Sequence, residues 1–517
     1  MKEPFLLGAI FMTAKKIVVL DVGKTNKKLF VYDSHLNCLN PDEEGVKLEP
    51  VQWQLPSGEN LECDDMQAIC RWMTESLKRA AEEYGDIGAI SISAHGATIA
   101  LLGKSRDEVF DGDGGLVFPV VSYENEISSE LEDGFYESVG IDPIEAHKLT
   151  ATPKLSWLLN SLKTVFLLQN FHPGEFEKVT DILMFPQYLG YLLCGQKGIE
   201  PTYPGCHSYF LNASGNGYSR LADKLGVVGL LPDLPMGKPW DVLGRITPAV
   251  SAATGLPSEC VVTMGVHDSN AAIVPYLAKG LDNFVVQDSG TWVVTMAPQT
   301  GGEAVFSENE LGLEVFYNRD IYGGPVKTTI FRGGAEFEFY RKKVLADRPH
   351  PDHISIDIVG EIASGREVFS LPTIERGAGL FPESLPRFEG VDIMFRDSET
   401  AWHVIDMGLA IQGYHALTLT GGDDISQVYI EGNIGRYNPI YRGVISTLFE
   451  ESDVYYGSMG GAVFGAAVLG VAAMEGRPPE DLEDRYEMGV EMVEKLDMDS
   501  SELKDYARGF LERAGKM

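Results

Sequence analysis

Near its start the chain carries a compact apolar run, Lys16–Asp21 (KIVVLD), answered by a second, Lys28–Tyr32 (KLFVY). Both are short and rich in β-branched or aromatic residues, which predicts strands, and the polar stretch Val22–Lys27 (VGKTNK) predicts a hairpin tip between them. Apolar residues recur at helical spacing over Met66–Tyr84, and a further strand, Ala89–Ser93, runs into Ala94-His95-Gly96-Ala97. Helices are expected over Pro153–Gln169 and Asp181–Leu193. From about Leu230 the texture turns to loops, through Gly244–Pro248 and Thr254–Pro257. The second half opens with a strand, Val261–Gly265, that leads into His267-Asp268-Ser269-Asn270-Ala271-Ala272. Asn283–Gln287 (NFVVQ) and Trp292–Met296 (WVVTM) then flank Asp288-Ser289-Gly290-Thr291, a second unit of strand, polar turn and strand. One such hairpin in each half predicts two related lobes. The boundary is expected near residue 262, giving domains 14–262 and 263–517. Val428–Gly432 reads as a strand into a glycine turn, Pro439–Phe449 as a helix, and Ser458–Val471 as a helix of small residues.

The bulk numbers narrow the partners. With 44% hydrophobic and 23% charged residues in 517, the composition is that of an ordinary globular protein. The net charge of −34, from 76 acidic against 42 basic residues, repels nucleic acid and anionic membranes, so neither is an expected partner. It leaves ATP open, because a nucleotide site needs only local positive ends and a metal. Much of the excess coats surface, as in Pro478–Glu502. The cysteines (Cys38, Cys63, Cys70, Cys194, Cys206, Cys260) form no CxxC pair, which argues against a disulfide framework and a zinc site, and for reduced thiols in a cytoplasmic enzyme. The apolar run Phe5–Met12 after Lys2 is short and has no convincing cleavage site; a start at Met12 accounts for it equally well. No later run approaches the roughly 20 apolar residues of a membrane helix.

The chain has no GxxxxGK[ST] loop, so any phosphate must be held by backbone N–H groups in a tight turn or at a helix N-terminus. The two polar hairpins are the candidates: glycine admits the phosphate oxygens, and Thr25, Ser289 and Thr291 add hydroxyls. Asp21, at the strand end beside the first turn, is placed to contact a hydrated Mg²⁺. Each hairpin also reads simply as a hairpin. Asp268 sits at a strand-to-helix junction, where it either accepts a hydroxyl proton or caps the helix.

Taken in order, these motifs resemble the FGGY family of carbohydrate kinases, from about Lys16 to Glu475. Asp21–Asp33 (DVGKTNKKLFVYD) resembles the family's first phosphate turn, and Lys154–Gly195 its signature helices. Leu230–Ala272 (LLPDLPMGKPWDVLGRITPAVSAATGLPSECVVTMGVHDSNAA) resembles the proline-rich approach, the Gly-x-(Ile/Leu)-Thr-Pro step, the Thr-Gly-Leu-Pro turn and the catalytic-aspartate strand. Asp288–Trp292 (DSGTW) resembles the second phosphate turn, Tyr429–Ile445 the adenosine-binding turn, and Gly460–Gly470 the helix behind it. The resemblance implies an α/β, two-lobed, actin-like or ribonuclease H-like ATPase fold of the hexokinase-like superfamily, with a cleft between lobes. It also implies an enzyme that moves the γ-phosphate of ATP, with Mg²⁺, onto a sugar hydroxyl. Asp268 is then the catalytic base and, with Asp21, a metal contact. Gly23, Lys24, Thr25, Asn26, Ser289, Gly290 and Thr291 hold phosphates, and Gly432 and Asn433 lie near the adenosine. The chain departs from the family pattern at Lys24 and Asn26, where threonine or serine is common, and at Glu431–Gly435 (EGNIG), which replaces a triple glycine.

The sugar is less sharply marked. Ser93–Gly96 resembles the substrate turn of the xylulose kinase branch, His267-Asp268-Ser269 the rhamnulose branch, Ser289–Trp292 the rhamnulose and fuculose branches, and Phe118–Tyr123 the fuculose branch. A deoxyketose such as L-fuculose or L-rhamnulose is the expected substrate, with xylulose, another pentulose or a polyol as the alternative. Sugar contacts are expected from His95, Gly96, Tyr123, Glu124, Asn125 and Asp268. Trp157 and Trp292 either stack on the sugar or serve as buried core. Tyr203, Cys206 and His207 lie in a region where such kinases have substrate-side or hinge residues and receive no role. The expected partners are the sugar and ATP, with a homodimer as a candidate assembly. A sugar- or nucleotide-binding member without turnover is the rival reading. A chaperone-like or filament-forming ATPase of the same superfamily would lack the helices between Pro153 and Gly195.

Overall fold

The computed structural model describes residues 15–104, 114–299, 304–345, 348–365, 368–374, 379–390, 398–422, 424–457 and 460–515, so the run Phe5–Met12 and the first two residues of Ser458–Val471 lie outside them. Each half is built on a seven-stranded sheet. In the first, Lys16–Val22 and Asn26–Tyr32 form the expected hairpin, and Lys16–Val22 runs parallel to Ile87–Ala94, which in turn pairs in parallel with Val261–Thr263 and Val266–His267. Val46–Lys47 and Val242–Arg245 complete the edges. In the second, Phe284–Ser289 and Val293–Pro298 form the hairpin, and Phe284–Ser289 runs parallel to Gln427–Glu431, then Asp453–Gly457. The two sheets therefore repeat one plan: a hairpin whose first strand continues into parallel neighbours.

Both faces of the first sheet are covered, which is why KIVVLD is apolar throughout instead of alternating. Val18, Leu20 and Val22 enter a core shared with the helix Met66–Tyr84. That helix has the expected bounds, with Asp65 accepting from the Ala68 N–H at its start and Gly85 at its end. Ile17 and Val19 point the other way, against Ala466, Ala467 and Leu469 of the helix Gly461–Glu475. A segment of the second half thus closes the first-half sheet. The same cluster holds Val266 of the first sheet, Ala271 of the helix that follows it, and Phe284, Val286 and Tyr429 of the second sheet, so apolar packing joins the lobes behind the cleft.

Several expected elements are revised. Pro153–Gln169 is not one helix: the helix is Leu162–Phe171, and the preceding residues are irregular. There the Asn160 carboxamide donates to Pro153 O and His207 O and accepts from Leu155 N, offering those backbone groups an alternative to helical bonding. Trp157 in this stretch has φ +56°. Asp181–Leu193 is a strand, Asp181–Met184, paired with Ile99–Leu102 and followed by the helix Phe185–Cys194. Pro186 in its first turn suits a helix start, where no N–H is needed. Val261–Gly265 stops at Thr263, because Gly265 adopts φ +84° before Val266–His267 resumes pairing. Gly432 opens a short helix, Gly432–Tyr437, instead of an open turn. Among the described residues no helix is long and apolar enough to cross a membrane.

Candidate active site

The register of the first sheet brings its two acids together. Asp21 lies beside Ser93, and Ser93 beside Val266; one step on, Val22, Ala94 and His267 form the next row. Asp268 follows that row directly as the first residue of the helix Asp268–Ala272. It is not the helix cap: His267 occupies that position, with extended φ and ψ. Asp268 Oδ1 accepts from Ser269 N at 2.6 Å and Ser269 Oγ at 3.3 Å, while its side chain stays 31% exposed to the cleft.

The second lobe contributes a third acid that the sequence did not single out. Asp288 occupies on Phe284–Ser289 the place that Asp21 occupies on Lys16–Val22: each is the penultimate residue of the first hairpin strand. Burial, then the neighbouring Asp268 charge, pushes Asp21 up to about 7, against the pull of Lys28 and of a hydrogen bond with Ser93. The same two causes push Asp288 up to about 6. Three carboxylates thus converge across the cleft, close enough for the Asp268 charge to act on both of the others. A hard divalent cation such as Mg²⁺, which takes oxygen ligands, fits that donor set.

The turns beside these acids are anchored from within. In the first, Lys27 Nζ donates to Lys24 O at 3.0 Å, and Lys24 turns toward Asp64 (3.4 Å) and Glu62 (3.8 Å), with its ammonium 5.8 Å from the centre of the Tyr123 ring. Thr25 and Asn26 are exposed, and Gly23 lies at the turn entrance, where a Cβ would stand 3.1 Å from Asn26 O. In the second, the Ser289 hydroxyl donates to the Glu431 carbonyl and accepts from Gly435 N at 2.8 Å, so it ties the turn to the helix Gly432–Tyr437 and is not a free phosphate donor. Gly290 N donates to Trp292 O at 3.0 Å, and Thr291 is exposed. Gly334 packs on this turn so closely that a Cβ there would lie 2.3 Å from Gly290 O.

Two cavities meet at Gly290 and Thr291. The larger, about 590 Å³, is lined by Ser289, Gly334, Phe337, Asn433 and Tyr437, among others. Gly432 lies beside it with φ +81°; a Cβ there would meet Asp288 Oδ1 and Ser289 O at 2.7 Å. At one wall His350 Nε2 contacts Asp406 Oδ2 at 2.8 Å, and Asn438 Nδ2 donates to Asp406 Oδ1 at 2.7 Å. Burial alone would lower His350, but that hydrogen bond and the Asp406 charge outweigh it and hold the imidazole above its ordinary value.

The smaller cavity, about 300 Å³, is lined by Asp268 and Asp288, by His95, Gly96, Tyr123, Cys206 and His207 of the first lobe, and by Asn318 of the second. Burial keeps His95 below its ordinary value, and its Nδ1 lies 3.2 Å from Gly96 O. Two buried polar atoms on this lining make no hydrogen bond within the described residues, His95 Nε2 and Asn318 Oδ1. Facing them is an apolar wall of Leu159, Trp292, Val294, Phe316 and Ile330. Glu124 and Asn125 do not line the cavity. Asn125 spends its carboxamide on the backbone, donating to Glu62 O and Ser122 O and accepting from Glu62 N at 2.8 Å. Trp157 from the first lobe and Trp292 from the second flank the Arg332 guanidinium at 5.3 and 5.6 Å.

Residues 16–275 match the family model described as the FGGY family of carbohydrate kinases, N-terminal domain, and residues 282–479 match carbohydrate kinase FGGY, C-terminal domain. A rhamnulokinase of Bacteroides thetaiotaomicron is 26% identical over 251 residues, 48% of this chain and 48% of that protein. A probable L-xylulose kinase of Pasteurella multocida is 23% identical over 279 residues, 53% of this chain and 54% of the relative. The chain spans about half the length of these curated relatives. A crystal structure of a carbohydrate kinase from Novosphingobium aromaticivorans superimposes with a TM-score of 0.77 at 25% identity, over 98% of this chain and 100% of that one. The two-lobed α/β actin-like fold expected from the sequence is the fold shared with that solved structure.

Proposed function

We propose, from the premise that the chain belongs to the FGGY family of carbohydrate kinases, that it transfers the γ-phosphate of ATP to a hydroxyl of a small deoxyketose. One observation carries this reading: the two cavities share Gly290 and Thr291, and Asp268 stands at their junction with Asp21 and Asp288 beside it. A nucleotide in the larger cavity would bring its terminal phosphate to the acids that a sugar in the smaller cavity faces. Asp268 accepts the proton of the attacking hydroxyl as its oxygen bonds to the γ-phosphorus; the bond to the β-phosphate oxygen breaks and ADP leaves. Asp21, Asp268 and Asp288 would hold Mg²⁺, which neutralises charge on the phosphate oxygens. The lobes orient both substrates and exclude water.

The cavity lining supports the deoxyketose. His95 Nε2 and Asn318 Oδ1 are acceptors suited to sugar hydroxyls, whereas Leu159, Phe316 and Ile330 suit a carbon without one. The relative named rhamnulokinase points to L-rhamnulose, and L-fuculose is the second candidate. A pentulose such as xylulose is the alternative, favoured by the relative named L-xylulose kinase. A cytoplasmic location goes with this reading, supported by six cysteines that are all free thiols. The test is ADP release with MgATP across L-rhamnulose, L-fuculose, D- and L-xylulose, aldoses and polyols. Highest kcat/KM on a 6-deoxyketose supports the proposal, best turnover of a pentulose selects the alternative, and no sugar-dependent ADP release refutes kinase activity.

A further inference from the structure

At the inner end of the smaller cavity, Cys206, His207 and His267 present ligand atoms that all lie within 4.8 Å of one another. It is the group of its kind found among the described residues. Cys206 and His267 are 2% and 4% exposed, and Cys206 Sγ lies 3.9 Å from His267 Nε2. The three belong to no run that sequence spacing would mark, because His267 reaches Cys206 and His207 through the fold alone.

The outer hydrogen bonds fix which nitrogen of each ring faces the cluster. His207 Nδ1 lies 3.1 Å from Leu159 O, an acceptor only, so Nδ1 carries the hydrogen and Nε2 the lone pair. Asn270 Nδ2 donates to Arg319 O at 2.7 Å, which turns its Oδ1 toward His267 Nδ1 at 2.6 Å. His267 Nδ1 is therefore also a donor, and in the neutral imidazole its Nε2 lone pair faces inward. Pinning one ring nitrogen by a carbonyl so that the other is free is the orientation seen in metal-ligating histidines. Both Nε2 atoms converge on Gly96, where a Cβ would stand 2.6 Å from that of His267 and 3.0 Å from that of His207. A carboxylate completes the arrangement: Asp268 Oδ1 lies 3.3 Å from His267 Nε2. A proton on Nε2 or a metal ion shared with Cys206 and His207 would each satisfy that contact.

We propose that Cys206, His207 and His267 form a binding site for one soft divalent ion of the zinc class, with Asp268 available as a fourth ligand. A tetrahedral ion with metal–sulfur and metal–nitrogen distances of about 2.3 and 2.0 Å sets its ligand atoms about 3.3–3.5 Å apart, so the cluster need contract by at most about 1.5 Å. Thiolate and imidazole select such an ion over Mg²⁺, which the oxygen donors Asp21, Asp268 and Asp288 would hold. Binding releases the Cys206 proton and draws Asp268 away from the sugar hydroxyl. The ion therefore shuts the sugar end of the cleft, an effect that rests on the kinase reading above.

The test is titration of the chelator-treated full-length protein with Co²⁺, without Mg²⁺ or nucleotide. One equivalent should bind with a thiolate-to-metal charge-transfer band, and Zn²⁺ should displace it. Cys206→Ser should remove the band and weaken Zn²⁺ binding at least tenfold by calorimetry, and His207→Ala should weaken it comparably. No such band in the wild-type protein, a measurement that needs no variant, overturns the site; so does a Zn²⁺ isotherm that is unchanged in a folded Cys206→Ser protein. A sugar turned over by the enzyme should lower the apparent Zn²⁺ affinity. Charge transfer without that competition would keep the ion site and refute the placement of the sugar.

Discussion

Replacing Asp21 with asparagine should make the unliganded protein more stable at neutral pH while disabling it. In the unfolded chain this carboxyl ionises near 3.8; in the folded protein burial and Asp268 hold its proton until about 7. Between those values the folded state binds the proton and the unfolded state does not, so stability falls as pH rises through that window. At about 1.4 kcal/mol per pH unit the cost at pH 8 reaches at most about 4 kcal/mol. Asparagine keeps a polar partner for Ser93 and carries no charge for Asp268 to repel, but it forgoes the attraction of Lys28. A net gain of about 2–4 kcal/mol at pH 8 is expected, shrinking toward zero at pH 4, where both side chains are neutral. Denaturant midpoints measured from pH 4 to 8 in chelator give the two curves. Adding Mg²⁺ should raise the wild-type curve at high pH more than the variant's, which keeps only Asp268 and Asp288 as ligands. A variant less stable than wild type at pH 8, or two parallel curves, would refute the assignment of Asp21 to a cluster of buried, mutually repelling acids.

Asp268→Asn should lower kcat about 10³-fold while sugar affinity, measured by calorimetry, changes less than about threefold; near-normal kcat would remove Asp268 from its role as base. His95→Ala should raise the sugar KM about tenfold with little change in kcat, as expected for one lost hydrogen bond to a hydroxyl, and an unchanged KM would mean that His95 is structural. Gly334→Ala, with its Cβ driven to 2.3 Å from Gly290 O, should displace the Asp288–Thr291 turn and, if that turn holds phosphate as proposed, raise the KM for ATP about tenfold or more, leaving sugar binding by calorimetry intact. Gly465→Ala should be the most damaging small substitution: the added carbon would lie 1.8 Å from Ala271 O, and a loss of about 3 kcal/mol or more is expected in the denaturation midpoint.

What could be read from the sequence followed local rules. The KIVVLD strand, both hairpins and the helix Met66–Tyr84 declare themselves through period and turn residues, and Asp21 and Asp268 through the motifs beside them. What escaped depends on distant partners. The unwinding of Pro153–Ser161 is maintained by Asn160, whose carboxamide reaches His207, forty-seven positions away. Asp288 was visible as part of a turn, and only its equivalence to Asp21 by strand position marks it as an acid of the cleft. That equivalence was available in the paired hairpins and is the signal that would have found it. Cys206, His207 and Asn318 carry no local signature, because the cavity they line exists only after both sheets are packed. Glu124 and Asn125 illustrate the reverse: polar residues beside Tyr123 suggest sugar contacts, yet the Asn125 amide holds a backbone junction.

The helix Gly461–Glu475 imposes an order on synthesis. The strand Lys16–Val22 leaves the ribosome early, but the wall for Ile17 and Val19 is encoded near the other end of the chain. After His267 has emerged, about 200 further residues must be made before that helix is complete, roughly 10–40 s at ordinary translation speed. Throughout that interval the nascent first sheet bears a bare apolar face, and a fragment cut at residue 262 would expose that face instead of forming an independent unit.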